Sequence, residues 1–206
     1  MAFFCYNIKI YILSEAPPYP MGRSDLQKLL EQKKRAKTEL FKKCWPEAKP
    51  DHPLLIIFVK DDKRTHELTF KLLEGLLILH AHVIVVSENE PADHLKHPQG
   101  KVTWVNPENG RNAPKIDQWL MAADMALVFD EKQAGIHTLF QKGVVPIGFE
   151  KSPLLTNYHP NEETGNSFTY NVLDAWSVFA TIVRACETYR FPYDWQHIVR
   201  EMLKVR

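Results

Sequence analysis

Five short apolar runs recur along this chain with helix-like stretches between them, and that alternation constrains its fold more than any other feature. The runs are "PLLIIFV" from Pro53, "HVIVVS" from His82, "KVTWV" from Lys101, "MALVF" from Met125 and "VVPIGF" from Val144. "PLLIIFV" is apolar throughout instead of alternating with polar residues, the mark of a strand buried on both faces of a parallel sheet. "HELTFKLLEGLLILH" places Leu68, Leu72, Leu73, Leu76 and Leu77 at helical spacing, and "APKIDQWLMAAD" has the same character ahead of Met125. Strands and helices in this order predict an α/β fold: a Rossmann-like open parallel sheet with helices on both faces. With 206 residues and 45% hydrophobic content there is material for one proper core. No internal repeat occurs and no linker is long enough to split the chain.

The start, "MAFFCYNIKIYIL", raises the question of a leader, but it lacks a basic opening region and a small-residue cleavage site. Ile8, Ile10 and Ile12 alternate with Lys9 and Tyr11, which predicts a strand. "SEAPPYPMG" then connects, its prolines Pro17, Pro18 and Pro20 excluding helix. The basic helix that follows, "RSDLQKLLEQKKRAKTELFKKCW", has Leu26, Leu29, Leu30 and Phe41 as sparse apolar positions. Its cluster Lys33, Lys34, Arg35 and Lys37 reads as a solvated face balanced by Glu31 and Glu39.

Charges nearly cancel, 26 basic against 25 acidic, so no overall field points to nucleic acid or a lipid surface. No stretch approaches the roughly 18 apolar residues of a membrane span. Cys5, Cys44 and Cys186 lie far apart without a C-x-x-C, which fits a reducing cytoplasm and no zinc or disulfide framework. The pairs His80/His82 and His94/His97 lack surrounding carboxylates or thiols, so no metal site is expected. Trp104, Trp119, Trp176 and Trp195 read as packing residues.

The stretch Met125–Phe149 is the most informative for chemistry. A strand ends in the charged corner Asp130–Lys132, Gly135 opens a short helical pattern, Gly143 closes it, and a parallel strand follows. Strand, glycine-opened helix and strand commonly hold a phosphate at the helix start.

The C-terminal region, "TGNSFTYNVLDAWSVFATIVRACETYRFPYDWQHIVREML", resembles the end of bacterial glycogen synthases and plant starch synthases. That family has a T-G-x-x-F turn and strand, a helix with R-A-x-x-x-Y, then a tryptophan and a short helix. Thr164, Gly165, Phe168, Arg184, Ala185, Tyr189, Trp195 and Met202 match it. "AADMALVF" looks like the strand before the family's catalytic loop and "KGVVPI" like the strand after it. "KKRAKTELFKKCW" with "HPLLIIFVKDDKR" is similar to the helix and strand leading to a phosphate-binding basic pair. The resemblance covers residues 22–206, after an N-terminal strand and connector in residues 1–21.

It implies the C-terminal, donor-binding half of a two-domain GT-B glycosyltransferase, a half that binds ADP-glucose or UDP-glucose in the family. Lys60 falls near the family's phosphate-binding arginine and Arg64 near its lysine. Gly135 matches the glycine of the catalytic loop, with Ile136, His137 and Thr138 at the helix start and His137 or Thr138 where a phosphate-binding threonine stands. Glu131 is the nearest carboxylate to the catalytic glutamate, with Lys132 or Gln133 as competing occupants of that position. The family's Pro-Ser and Glu-Pro pairs are missing, and its T-G-G-L loop reads "KSPLLTN", where Pro153 lacks an N–H and neither glycine remains.

Three functions follow from this. The chain is a donor-half domain binding a nucleotide or nucleotide sugar with little or no glucosyl transfer of its own. Otherwise it is an active transferase subunit needing a separate acceptor-domain protein, or a non-catalytic interaction domain that pairs with a partner or itself. No resident cofactor is implied. The final helix, Tyr193–Leu203, is expected to lie as an arm at the domain edge with part of its apolar face exposed.

Overall fold

The computed structural model describes residues 23–60, 62–88, 100–106, 113–129 and 135–205. The strand expected over Ile8–Ile12, its connector, and the pair His94/His97 lie outside them. Helix α1 (Arg23–Cys44) is followed by β1 (Leu54–Phe58), α2 (Lys63–Leu76), β2 (His82–Val86), β3 (Val102–Val105) and α3 (Ala113–Ala122). Then come β4 (Met125–Val128), α4 (Ile136–Gln141), β5 (Val145–Phe149), β6 (Phe168–Tyr170), α5 (Ala175–Tyr189) and α6 (Pro192–Met202).

All six strands join one parallel sheet in the order β3-β2-β1-β4-β5-β6. The five apolar runs therefore form strands as expected, and β6 begins at the Phe168 of the T-G-x-x-F turn. Leu55 lies between Val83 and Met125 in register, at the middle of the sheet. Successive strand residues point to opposite faces. Leu54, Ile56, Ile84, Ala126 and Val128 pack under Phe41 of α1, Trp45 just beyond its end and Leu120 of α3. Leu55, Ile57, Val85, Leu127 and Ile147 pack under α2, α5 and α6. Helices on both faces leave the central strands almost wholly apolar, which is why their sequences do not alternate.

Local signals set the helix boundaries. Asp62 caps α2 by accepting the Thr65 amide at 2.8 Å, and Asp174 caps α5 by accepting the Ser177 amide at 2.8 Å. Pro192 opens α6, where its missing N–H costs nothing. In α6, Trp195, Ile198, Val199 and Met202 recur at helical spacing and are all buried. The helix packs on α5, α4 and β5, so its apolar face closes the core and is not an exposed arm. Its exposed large apolar residues are at its entry, Phe191 and Tyr193. Among the tryptophans read as packing residues, Trp195 is buried, but Trp176 at the start of α5 is 84% exposed.

The basic cluster of α1 also departs from the expected solvated face. Lys34 and Arg35 are exposed, whereas Lys33 and Lys37 are buried. Lys33 donates to the carbonyls of Ala123 at 2.6 Å and Lys142 at 3.0 Å, tying α1 to the chain beyond α3 and α4. Lys37 donates to Asp124 Oδ2 at 2.5 Å and to the Tyr189 hydroxyl at 2.8 Å. Burial pushes the Lys33 ammonium down from 10.5 to about 8, with Lys37 and Lys142 adding to the shift and Asp124 opposing it.

That shift has a sign in stability. Between about pH 8 and 10.5 the unfolded chain keeps a proton at Lys33 that the folded chain has lost, so stability rises with pH. Above pH 9 the buried Cys186 thiol, pushed up to about 12, acts in the opposite direction. The unopposed window is therefore pH 8 to 9. Urea unfolding of the wild-type chain should show a gain there of about 1 kcal/mol, and Lys33→Met should remove that gain while lowering stability throughout.

Candidate functional site

The strand order reverses between β1 and β4: the chain builds outward through β2 and β3, then returns through α3 to lay β4 beside β1. In open sheets of this kind the two connections leaving such a point diverge to opposite faces, and the crevice between them at the C-terminal strand ends receives ligands. The connections here are Val59–Asp62, leading into α2, and Phe129–Gly135, leading into α4. The topology therefore places Lys60 and Gly135, which lie about 75 residues apart, at the same edge of adjacent strands.

On the β1 side, the turn is closed upon itself. The Asp62 amide donates to the Lys60 carbonyl at 2.8 Å, and Thr65 Oγ1 donates to the same carbonyl at 3.1 Å. Burial alone would raise the Asp62 carboxyl. Hydrogen bonds from Thr65, the Lys60 charge and the Arg64 amide outweigh it and hold the group below its ordinary value. The start of α2 thus carries its own anion. The Arg64 Nη2 donates to the Leu173 carbonyl at 3.1 Å, in the turn between β6 and α5.

On the β4 side, Gly135 is the N-cap of α4 and makes no side-chain cap. The first intrahelical bond runs from the Leu139 amide to the Gly135 carbonyl at 3.0 Å. The amides of Ile136, His137 and Thr138 consequently have no acceptor within the helix. Ile136 is buried in the core, His137 is exposed and Thr138 half-buried, so the last two are the side chains at this corner that reach solvent. Glu131, with Lys132 and Gln133, lies outside the described residues.

The loop after β5 is packed down. A Cβ on Gly148 would stand 2.5 Å from Leu155 Cδ1, so the chain folds directly over the end of its own strand. Within it the Ser152 hydroxyl is buried with no hydrogen-bond partner among the described residues. Sequence gave no signal for this group beyond a serine before Pro153. Lys151 extends over the Phe149 ring at 5.9 Å.

The histidine pair His80/His82 lies at the opposite edge, where strands begin. His82 stacks with His52, ring centroids 5.7 Å apart, and burial pushes its imidazole down to about 4, with His52 and Lys101 adding to the shift. No group of metal-ligating residues is present among the described residues, and no described helix is long and apolar enough to cross a membrane.

No family model matches this sequence, and neither does any curated protein. Solved structures do match its fold. Among them is the catalytic domain of starch synthase IV from Arabidopsis thaliana bound to ADP and acarbose, with a TM-score of 0.66 at 16% identity. The likeness covers 90% of this chain and 41% of that one, so this chain spans less than half of the neighbour's length. At this identity the likeness carries the fold: a single Rossmann-like parallel sheet of the type that forms half of a GT-B protein.

Proposed function

We propose that residues 22–206 are a glycogen- and starch-synthase-like donor half, binding a nucleotide or nucleotide sugar of the ADP- or UDP-glucose type with little or no glucosyl transfer of its own. The observation that carries the reading is the strand reversal between β1 and β4, with a lysine at one lip and an uncapped helix start at the other. The ADP in the starch synthase neighbour supports the ligand class. In this reading Lys60 and the amides of Ile136, His137 and Thr138 face the phosphates, Gly135 permits their approach, and Glu131 stands where the sugar would be contacted. Arg64 joins them only by leaving Leu173.

Four features weigh against turnover. Departing phosphates need fixed cations and donors, because electrostatic stabilisation is usually the largest catalytic contribution. Here the start of α2 is already neutralised by Asp62, the guanidinium of Arg64 is engaged elsewhere, and Leu155 fills the space over β5. A lysine at the arginine position also offers a point charge in place of a bidentate fork. An acceptor-domain protein encoded separately is the partner this reading leaves room for.

Calorimetry with ADP, UDP and their glucose conjugates tests the proposal. We expect binding in the millimolar to high-micromolar range, on the order of 4–5 kcal/mol. Lys60→Ala should weaken it by about 1 kcal/mol, the size of one exposed charge-assisted contact, and Arg64→Ala should weaken it less. Absence of binding at about 10 mM nucleotide, where a complex of 4 kcal/mol would be well populated, overturns the ligand class. Transfer to a glucan by the isolated chain overturns the absence of turnover.

A further inference from the structure

A line of rings runs from the core to the surface at the edge where strands begin. The imidazole of His82, the first residue of β2, has its centroid 4.7 Å from that of Phe41 and 4.7 Å from that of Trp45. His52 lies 5.7 Å from His82 with its ring nearly parallel, and His80 lies 5.7 Å from His52. His82 is 4% exposed, His52 half-buried and His80 exposed. The His82 Nδ1 is buried with no hydrogen-bond partner among the described residues.

The charges around this line oppose a proton on His82. Lys37 of α1, Lys101 ahead of β3 and His52 all act against it. Both lysines are held in place, Lys37 by Asp124 and Lys101 by the Leu77 carbonyl at 3.0 Å. Asp51 is the carboxylate that acts on the cluster, and it favours a proton on His52, which His80 opposes. A charged imidazole donates at both nitrogens, and a buried N–H without an acceptor is costly. Protonating His82 in place therefore combines burial of charge, repulsion and an unmade hydrogen bond. Departure of the ring relieves all three. The parts resting on it are the end of α1 and the turn beyond, where the Trp45 amide donates to the Phe41 carbonyl at 2.7 Å and the Ala48 amide to the Trp45 carbonyl at 2.9 Å. An opening begun there meets the Lys37–Asp124 pair, which holds the rest of α1 to the sheet.

We propose that His82 is an acid-sensitive latch: its protonation expels the ring from beside Phe41 and Trp45 and frees residues 41–51 while the sheet stays folded. Burial pushes the imidazole down to about 4 in the closed state, against 6.5 for a released ring. The closed state binds fewer protons, so it loses ground as pH falls from about 6.5 toward 4. This inference is independent of nucleotide binding, since the latch lies at the edge opposite the crevice.

Hydrogen exchange of the full chain at about pH 6.5 and 4.5, corrected for the intrinsic pH dependence of the exchange rate, reads the latch directly. In the wild-type protein, protection of the Trp45 and Ala48 amides should fall about ten-fold or more between the two conditions, while the amides of β4 keep theirs. His82→Phe fills the site with a ring that takes no proton, and should hold the change at Trp45 and Ala48 to within about two-fold. Imidazole NMR of the wild-type chain needs no variant: protonation of His82 should coincide with the loss of protection. Equal losses in the wild-type and His82→Phe chains overturn the proposal, as does unchanged protection of Trp45 in the wild type. So does a His82 that protonates near pH 6.5 with protection intact. A loss that reaches β4 together with Trp45 overturns it as well, because that is global unfolding.

Discussion

Asp124→Ala is expected to lower the folding free energy by about 3–5 kcal/mol, the cost of removing one partner of a buried ion pair. Asp124 is 6% exposed and Lys37 4%. The carboxylate stands at the entrance to β4, where Oδ2 accepts both the Lys37 ammonium at 2.5 Å and the Leu54 amide at 2.8 Å. Removing it strands a charge and a backbone donor together in a place water does not reach. The Lys37 ammonium would keep only the Tyr189 hydroxyl as a polar partner among the described residues. Small domains have only about 5–15 kcal/mol in total, so this single change should consume a large part of the stability.

Equilibrium urea unfolding at pH 7 measures it, with an unchanged slope and a lower midpoint expected. The double replacement Lys37→Met with Asp124→Leu separates stability from mere presence of charge. Desolvating two ions is itself costly, so an apolar pair of similar volume should recover much of the loss. Asp124→Ala costing less than about 1 kcal/mol would mean that the pair is hydrated like a surface bridge, and would sink the account of α1 as an anchored element.

The same lysines show where sequence reading succeeded and where it stopped. The central strands were legible because helices on both faces leave no polar alternation to confuse them: "PLLIIFV" and "MALVF" became β1 and β4 with Leu55 opposite Met125. Strand β6 has only Phe168–Tyr170 and a half-buried threonine between, too short for periodicity to reveal, and it emerged through the T-G-x-x-F resemblance. In α1 the apolar positions Leu26, Leu29, Lys33, Lys37 and Phe41 continue one helical stripe through two lysines. Composition made them solvent-facing; position made them core. An ammonium can occupy such a stripe only where carbonyls or a carboxylate await it, and those come from Ala123, Lys142 and Asp124, far along the chain. The candidate site divides similarly. That Lys60 and Gly135 leave adjacent strands at the same edge follows from strand order; the alternation of elements implied a parallel sheet but not that order. That Arg64 crosses to Leu173 depends on how α2 packs against α5, and no local pattern encodes it.

Gly165→Ala is the second change expected to be severe, with a loss of roughly 2–4 kcal/mol from strain and overlap together. Gly165 sits at φ +108, a backbone conformation that side-chain-bearing residues rarely adopt. A Cβ there would fall 2.3 Å from the Asn157 carbonyl oxygen and 2.6 Å from Tyr158 Cα. Both obstacles are backbone, so no rotamer change relieves them. The backbone cannot retreat cheaply either. Tyr158 N–H donates to the Ser167 carbonyl at 2.8 Å, the Asn166 amide to the Thr156 carbonyl at 2.9 Å, and the Tyr158 hydroxyl to Asp194 of α6 at 2.6 Å. Shifting Asn157 also disturbs its Oδ1, which accepts from the Thr169 amide in β6 and from Arg184 in α5. The turn is thus the clasp that joins β6, α5 and α6, and its loss should spread to all three. Hydrogen exchange should speed up across α6 as well as at the turn. Gly75→Ala is the contrast within the same chain: its Cβ would meet the Phe179 ring at 2.7 Å, the far end of a side chain that can turn. Gly75 lies in the last turn of α2, where alanine is favoured over glycine by less than the roughly 1 kcal/mol of a helix interior, so the change should cost far less than Gly165→Ala. Thermal unfolding of both variants decides the matter. Gly165→Ala melting within a degree or two of wild type, about the effect of a few tenths of a kcal/mol, would show that the turn re-forms around a side chain and that the glycine is not needed for the clasp.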